Sequence, residues 1–298
     1  MGYTNFPHGI TSMGVPIFGS GQDISGSTYF VDNNSGLDSN DGSSFEKAFK
    51  TLAKAVTVSN LDIARGSDRW ARRNTIYFAA DTETATLTAF PNKCDVIGVG
   101  SYDANDKPGI TGNHVPVNAG NYGTRFFNIL FRGAAVAGPI ITLASTSSGI
   151  QFIDCLFDAP VSGTTNTRAI LATASPFLKV INCQFRGPFS ADYITFGTGE
   201  AGGTMIIDNL MQDGADNGIM IGAGTTASWR GLIKGNLIQC ADKFIDTQAA
   251  SVFNVVDNTC ISGEALGSGS YVLDLTYAVG NRVTGNDVSA TIPLIPAA

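Results

Sequence analysis

The chain has 298 residues, of which 43% are hydrophobic and 14% charged, and it contains 35 glycines. This composition is typical of a folded protein with many tight turns and excludes a disordered chain. Its 18 basic and 25 acidic side chains give a net charge of −7, and its one basic patch is short, so we expect no nucleic-acid partner.

Secretion and membrane insertion are also not expected. No eighteen apolar residues run together, and the amino terminus lacks the basic start and apolar stretch of a secretory signal. We therefore expect a protein that is made in a cytoplasm and does not bind a membrane. The cysteines are odd in number and form no C-x-x-C pair, which predicts buried free thiols rather than disulfides or a zinc site. They are Cys94, Cys155, Cys183, Cys240 and Cys260.

The first predicted element is an arm over residues 1–25. It is punctuated by Gly and Pro and has only single apolar residues, so it cannot bury itself alone. We expect it to order on the surface of a partner protein. A strand packed along the protein's own flank is the alternative. The predicted partner-binding residues are Phe6, Ile10, Met13, Val15, Ile17 and Phe18.

Residues 26–75 are predicted to be an entry segment and a capping helix. Apolar residues in SSFEKAFKTLAKAVTV (43–58) recur at helical spacing, and Ser43 with Glu46 has the spacing of a capping box. The preceding segment, DNNSGLDSNDG (32–42), offers acidic side chains but lacks EF-hand spacing, which favours Asx-turns over a calcium site. Next comes the basic patch around Trp70, which we interpret as a solvated helix end or a contact with an acidic partner. Its members are Arg65, Arg69, Arg72 and Arg73.

A repeat occupies most of the remaining chain. IQFIDCLFDAP (150–160) is followed by LKVINCQFRGP (178–188), and weaker copies precede and follow them. Each copy is an alternating strand between turn residues, the copies are 23 to 28 residues apart, and none contains a helix. This pattern predicts a right-handed parallel β-helix over residues 76–290 with a tail at 291–298. The centres of the copies are Ile129, Cys155, Cys183, Asn209, Gly235, Asn258 and Asn281.

Strand alternation then predicts which side chains point inward. For the fourth copy we prefer Gly235 to Asn236 as the centre, because Asn236 would turn Lys234 inward. Inward Asn side chains are expected to hydrogen-bond from coil to coil. The predicted inward sets are Ile153/Cys155/Phe157, Ile181/Cys183/Phe185, Ile207/Asn209/Met211, Ile233/Gly235/Leu237, Val256/Asn258/Cys260 and Val279/Asn281/Val283.

The predicted outward row carries acids but no adjacent pair of them. Asp154 and Asp208 are separated by two coils, about 10 Å, which is too wide for one calcium ion and marginal for an inverting pair of carboxyls. Of the two histidines, His8 lies in the arm and His114 in a loop, where we expect a surface residue. We therefore predict no catalytic residues, no metal and no cofactor.

The front of the repeat region resembles the entry of pectin-lyase-like β-helix proteins. The likeness lies in TYFVDNNSGLDSNDGSSFEKAFKTLAKAV, NTIYFAADTETATLT and CDVIGVGS. It covers roughly residues 28–290 and implies the fold, with the helix capping the open end, but not a function. One departure is the sequence Ala80-Asp81-Thr82, which stands where the family usually has a Pro-Gly-x-Tyr turn.

The arm sequence NFPHGITSMGVPIFGSG is similar to amino-terminal segments of β-helix proteins encoded among bacteriophage virion genes. Together with the missing catalytic residues, the absent secretory signal and the free cysteines, this resemblance favours a non-enzymatic virion protein, a capsid decoration or cement protein. Its expected partners are the major capsid protein or another virion protein, and we expect a homotrimer. Outward Leu130, Leu156 and Leu210 support trimerisation weakly. The alternative is a tailspike-like protein that binds or cleaves bacterial surface polysaccharide along the flank.

Overall fold

The computed structural model describes most of residues 26–262 and parts of both ends of the chain. The described residues are 11–12, 15–16, 26–65, 71–100, 107–117, 121–134, 136–145, 147–160, 166–215, 217–222, 224–240, 244–247, 253–262 and 278–285. No helix in these ranges is long and apolar enough to cross a membrane.

Three parallel sheets run along the long axis of a β-solenoid. Sheet 1 consists of Thr28–Asp32, Asn74–Ala79, Cys94–Gly98, Arg125–Phe127, Gln151–Ile153, Lys179–Ile181, Met205–Ile207, Gly231–Lys234, Phe253–Val256 and Ala278–Val279. Sheet 2 consists of Thr82–Thr84, Gly109–Thr111, Leu130–Arg132, Leu156–Asp158, Gln184–Arg186, Leu210–Ala215, Leu237–Cys240, Thr259–Ser262 and Arg282–Gly285. Sheet 3 consists of Ile141–Leu143, Arg168–Ala172, Asp192–Phe196, Asn217–Ile221 and Ile245–Thr247.

Short strand pairs complete the described architecture. Asn121–Tyr122 pairs in parallel with Ser147–Ser148, and Gly199–Glu200 with Thr225–Thr226. Thr11–Ser12 and Val15–Pro16 form an antiparallel pair. The predicted parallel β-helix is therefore confirmed. The predicted domain boundaries at 25, 75 and 290 stay predictions.

The helix begins later than the sequence predicts. A single 3-10 turn covers Phe45–Lys47, and helix α1 covers Leu52–Ala64. The predicted capping box of Ser43 and Glu46 is therefore wrong. The N-cap of α1 is Thr51, whose side chain accepts a hydrogen bond from the Lys54 N–H at 3.2 Å. The residues between the two helical segments bridge to the first strand through Phe49 and Val31, which breaks the helical pattern.

Helix α1 covers the core at the first coil. Leu52, Ala55 and Val56 are buried in the same apolar cluster as Ile76 and Phe78 of sheet 1. Further along, aromatic rings stack from coil to coil: Phe126 on Phe152 at 5.4 Å, Phe131 on Phe157 at 5.5 Å, and Phe157 on Phe185 at 4.8 Å. The five cysteines are free and buried, as predicted.

Each copy of the repeat contains a bend rather than one continuous strand. The residue between sheets 1 and 2 has a positive φ in every coil from Asn128 onward, a conformation that Gly, Asn and Asp adopt most readily. We call these residues the bend column. They are Asn128, Asp154, Asn182, Asp208, Gly235, Asp257 and Gly280, with φ from 51° to 73°.

The bend interrupts the alternation of inward and outward side chains, so several of the residues predicted to point inward are wrong. Phe152 is buried, whereas Ile153, which was predicted to point inward, is half-exposed on the outer face. After the bend, Cys155 and Phe157 are buried as predicted. The same correction replaces Ile181, Ile207 and Val256 with Val180, Ile206 and Val255 as the buried residues.

The fourth coil is corrected in the same way. Asn236 is buried, whereas Gly235 occupies the bend column and Leu237 is exposed. Lys234 lies before the bend and is exposed, so placing Asn236 inward requires no buried ammonium group. The prediction of Gly235 as the inward residue is wrong because the bend at this residue breaks the strand alternation. The predicted asparagine ladder is confirmed and gains this member: Asn209, Asn236, Asn258 and Asn281 hydrogen-bond in series at 2.8 to 2.9 Å.

Candidate functional surfaces

The acids of the predicted outward row, Asp154, Asp208 and Asp257, all lie in the bend column. Asn182 donates to the Asp154 carboxylate at 2.5 Å. A Cβ at Gly235 would lie 2.2 Å from Asp208 Oδ1, so the glycine makes room for the acid of the preceding coil. These contacts give the row a structural role. Among the described residues, no group of three or more His, Cys, Asp or Glu side chains could hold a metal ion.

His114 is not the surface residue that we expected. It is fully buried, its Nδ1 accepts from the Leu87 N–H at 3.1 Å, and its ring packs edge-on against Phe131 at 5.8 Å. Burial lowers the pKa of His114 to about 4. The neutral ring is therefore part of the core near the first coils.

The candidate charged sites at the front of the chain are satisfied within the protein. Arg72 pairs with Asp62 at 3.1 Å, and Arg73 pairs with Asp95. These two members of the basic patch are therefore held by acids, while Arg69 and Trp70 lie outside the described residues. In the segment DNNSGLDSNDG, Asp32 and Asp41 accept hydrogen bonds from backbone N–H groups two or three residues later, which agrees with the expected turns. Asp38 instead accepts from the backbone N–H groups of Lys50 and Thr51, just before helix α1.

A charged groove lies at the end of sheet 2. Asp158 accepts from Arg132 Nε at 2.9 Å and from Arg186 Nε at 3.0 Å, so one carboxylate bridges the coils before and after it. The hydrogen bond to Asp158 raises the pKa of Arg186. With Asp213 these groups line a groove of about 450 Å³. The groove presents both charge signs beside the uncharged Ala159, Pro160 and Gly187. Sequence reasoning missed it because its charged members come from four different coils.

The outer face of sheet 1 carries a continuous apolar row, which we call the apolar stripe. Its members are neighbours in register on seven consecutive strands, and each is half-buried. At about 4.8 Å per strand the row is roughly 29 Å long. It ends where Ile207 is followed in register by the exposed Lys234. The members are Phe30, Tyr77, Ile97, Phe127, Ile153, Ile181 and Ile207.

The apolar stripe corrects the expected location of exposed apolar residues. On sheet 2, Leu130 and Leu156 are only 2% and 0% exposed, and Leu210 is half-buried. Leu130 and Leu156 are buried and cannot support an interface as the sequence suggested, which leaves Leu210 as the one partly exposed member of the three. The stripe was missed because Ile153 and its equivalents were assigned to the interior.

Two aromatic side chains are exposed together in the turns that lead into sheet 1. The rings of Phe177 and Trp229 lie 5.5 Å apart with an angle of 36° between their planes. Phe177 is 41% and Trp229 is 63% exposed. Sequence reasoning did not single out either residue.

Most of the predicted partner-binding residues cannot be placed. Phe6, Ile10, Met13, Ile17 and Phe18 lie outside the described residues. For Val15 only the backbone is described, in its pairing with Ser12.

Comparisons with known proteins concern the fold. No protein-family model matches the sequence, and no curated protein is similar to it. Among solved structures, pectate lyase Pel9A is similar at 14% identity and a TM-score of 0.46, over 87% of this chain and 77% of that chain. A tailspike protein double mutant of E. coli bacteriophage HK620, in complex with a pentasaccharide, is similar at 11% identity and a TM-score of 0.40, over 74% of this chain. The match spans 49% of that tailspike chain. The parallel β-helix is established by the three sheets themselves.

Proposed function

We propose that the chain is a non-enzymatic structural protein of a bacteriophage particle, a decoration or cement protein built as a homotrimer. Residues 1–25 anchor it to the major capsid protein or another virion protein, and its place is the virion, after synthesis in the host cytoplasm. The apolar stripe is the observation that carries the proposal. The arm sequence adds the attachment role.

The stripe supports assembly because its apolar residues are contiguous. Single exposed apolar side chains are common on soluble proteins, whereas a continuous apolar patch marks an interaction site. The row follows the long axis of the solenoid, so parallel shafts placed around a common axis would cover it along its whole length. A closed ring of three copies buries each stripe once.

The two edges of the stripe differ in charge. Lys179 lies in the outward row on one edge, in register with Gln151 and Met205. Asp154 and Asp208 lie in the bend column on the other edge, where Lys107 Nζ also donates to Asn128 Oδ1 at 2.6 Å and to Asp154 O at 3.0 Å. In a cyclic assembly one edge of each copy meets the opposite edge of the next, so the two signs face each other. This complementarity favours a ring over a two-fold dimer.

The proposed trimer is tested by the mass of the purified protein in solution. Light scattering should give three times the 31.1 kDa chain mass for the wild type. Ile153→Lys combined with Ile181→Lys should give the single-chain mass with an unchanged β-sheet circular dichroism spectrum. Gln184→Lys, an exposed site on sheet 2, is the matched control and should stay trimeric. A wild-type monomer at all concentrations would overturn trimerisation.

The attachment part is tested by deleting residues 1–25. The truncated protein should stay folded and trimeric but should no longer co-sediment with phage particles assembled without it. Unchanged co-sedimentation would remove the attachment role. Shortening of host polysaccharide by the purified protein, lost in Asp154→Asn or Asp208→Asn, would instead support the tailspike-like alternative.

A further inference from the structure

We propose that Phe177 and Trp229 form a carbohydrate-binding platform that stacks against the pyranose rings of a glycan. The site lies on a different row of the solenoid from the apolar stripe and does not depend on the assembly role. Its two rings are exposed and adjacent.

The backbone at Phe177 provides the first argument. The turns before sheet 1 contain a second column of positive φ values, in which Gly149 and Gly203 flank Phe177 in the neighbouring coils. The Phe177 N–H donates to Gly202 O at 2.9 Å, and the Gly203 N–H donates to Trp229 O at 3.0 Å, so the turns stack in register. Phe177 has a φ of 60°, which a bulky residue occupies only at a cost. Strain of this kind is concentrated at binding sites.

Burial does not explain the choice of phenylalanine. The Phe177 side chain is 41% exposed, and glycine fills the equivalent position in both adjacent coils without strain. A Cβ at Gly203 would lie 2.5 Å from Phe177 Cδ1, so the ring occupies the space that a side chain at 203 would need. The next coil therefore seats the ring at the surface.

The turn that carries Trp229 is fixed by a carboxylate. Glu200 accepts from the N–H groups of Gly202 and Ser228, both at 2.8 Å, and from Ser228 Oγ at 3.0 Å. These hydrogen bonds, led by that from the Ser228 N–H, lower the pKa of Glu200. Since Ser228 precedes Trp229 directly, the indole is attached to a rigid turn. A preorganised aromatic side chain binds a ligand with little ordering cost.

The size and surroundings of the pair favour a sugar. One Phe and one Trp bury at most about 300–500 Å² together, well below the roughly 800 Å² that each partner contributes to a stable protein interface. The neighbours Thr226, Ser228 and Arg230 are polar and exposed. A pyranose ring has an apolar C–H face and a rim of hydroxyl groups, so it matches aromatic faces within a polar surface.

Tyr122 offers a control on the same column. It is 54% exposed. The backbone hydrogen bonds that link the turns of successive coils place it at the position equivalent to Trp229, four coils earlier. This separation is about 19 Å. Short oligosaccharides bound at the platform would not reach it.

The test uses the full chain and the fluorescence of Trp229. Trp70→Phe leaves Trp229 as the only one of the two tryptophans. The probes are trisaccharides from dextran, cellulose, mannan, chitin, galactan and rhamnan. We expect at least one to change the emission saturably and to show protein-to-sugar saturation transfer by NMR. Trp229→Ala should abolish the transfer, and Tyr122→Ala should leave it unchanged.

Phe177→Gly separates binding from folding. Glycine fits the positive φ, so the thermal midpoint should not fall, while the affinity for the sugar should fall about tenfold. A purely structural role for Phe177 predicts the reverse, a lower midpoint with unchanged affinity. That result, or saturation transfer in none of the six trisaccharides, would overturn the proposal.

Discussion

Asn209 donates two hydrogen bonds, one from its backbone and one from its side chain, to one atom of Asn236. The Asn209 backbone N–H lies 3.0 Å from Asn236 Oδ1, and its side-chain Nδ2 lies 2.8 Å from the same oxygen. Asn236 repeats the arrangement with Asn258 at 3.0 and 2.8 Å. Each buried amide oxygen therefore accepts hydrogen bonds from the previous coil, and each amide group donates to the oxygen of the next coil.

Removing Asn236 should destabilise the solenoid strongly. Asn236→Ala leaves two buried donors of Asn209 without their acceptor and removes a donor to Ile206 O. At about 1–3 kcal/mol for each of the two donors left without an acceptor, we expect a loss of about 2–6 kcal/mol. Urea unfolding followed by circular dichroism measures it, with exposed Gln184→Ala as the control. A loss below about 1 kcal/mol would show that the ladder is not stabilising.

Cys155 and Cys183 occupy the same inward column as the asparagine ladder and make part of its hydrogen bonds. Cys155 Sγ lies 3.5 Å from Phe126 O and Cys183 Sγ lies 3.4 Å from Phe152 O, one coil back in each case. Asn209 Nδ2 makes the equivalent contact with Val180 O at 2.9 Å. A thiol thus supplies the weak donor of this position but no amide oxygen.

The thiols should be unreactive while the protein is folded. Burial raises the pKa of Cys94 to about 12 and that of Cys183 well above its usual value. Because the thiolate is the reactive form, we expect Ellman's reagent at pH 8 to modify none of the five cysteines in the native protein and all five in urea. Fast labelling of even one thiol without denaturant would contradict the buried positions.

His114 should make stability depend on pH. Its folded-state pKa of about 4 lies below the value of about 6.5 expected for the unfolded chain. Between these values only the unfolded state binds the proton, so the contribution is complete above pH 6.5 and is lost as the pH falls towards 4. The loss amounts to about 3 kcal/mol.

The comparison with His114→Asn isolates this effect. Asparagine can accept from the Leu87 N–H but does not titrate, so the variant should lose less stability than the wild type between pH 7 and pH 4. Urea unfolding at both pH values measures the difference. Identical pH profiles for the two proteins would show that His114 is accessible to protons in the folded state.

The bridging carboxylate of the charged groove should contribute moderately. Asp158→Asn leaves Arg132 and Arg186 with a neutral partner, although both guanidinium groups keep about a third of their exposure. We expect a loss of about 1–2 kcal/mol, between the values for surface and buried pairs. Asp208→Asn, at an exposed position of the bend column, should change stability by less than about 0.5 kcal/mol. Equal effects in thermal unfolding would argue against the bridge.

The period of the repeat predicts the fold, but strand alternation alone does not predict which side chains point inward. The spacing of Cys155, Cys183 and Asn209 indicates stacked coils, and the structure has them. Ile153 was misplaced because a single residue at positive φ shifts every later side chain to the other face. A signal was present: Asn or Asp precedes most of the centres, and these residues favour that conformation.

The candidate platform has no such signal. Phenylalanine is disfavoured at positive φ, so nothing in the sequence near Phe177 indicates an exposed turn position. Trp229 is 52 positions further along the chain, and the contact between the two rings depends on how three coils stack. The apolar stripe is likewise recognised only when the inward and outward side chains are assigned correctly on all seven strands.

Because of the bend column, coils can differ in length while their strands stay aligned. Since Asp154, Asp208 and Asp257 all turn the chain at one point, a coil can gain or lose residues in its other turns while its sheet 1 and sheet 2 strands stay in register. The 22 to 27 residues between neighbouring asparagines of the ladder are one result. A shaft of this kind can be lengthened by whole coils, each adding about 4.8 Å, so its reach from an attachment point can change without redesign of its ends.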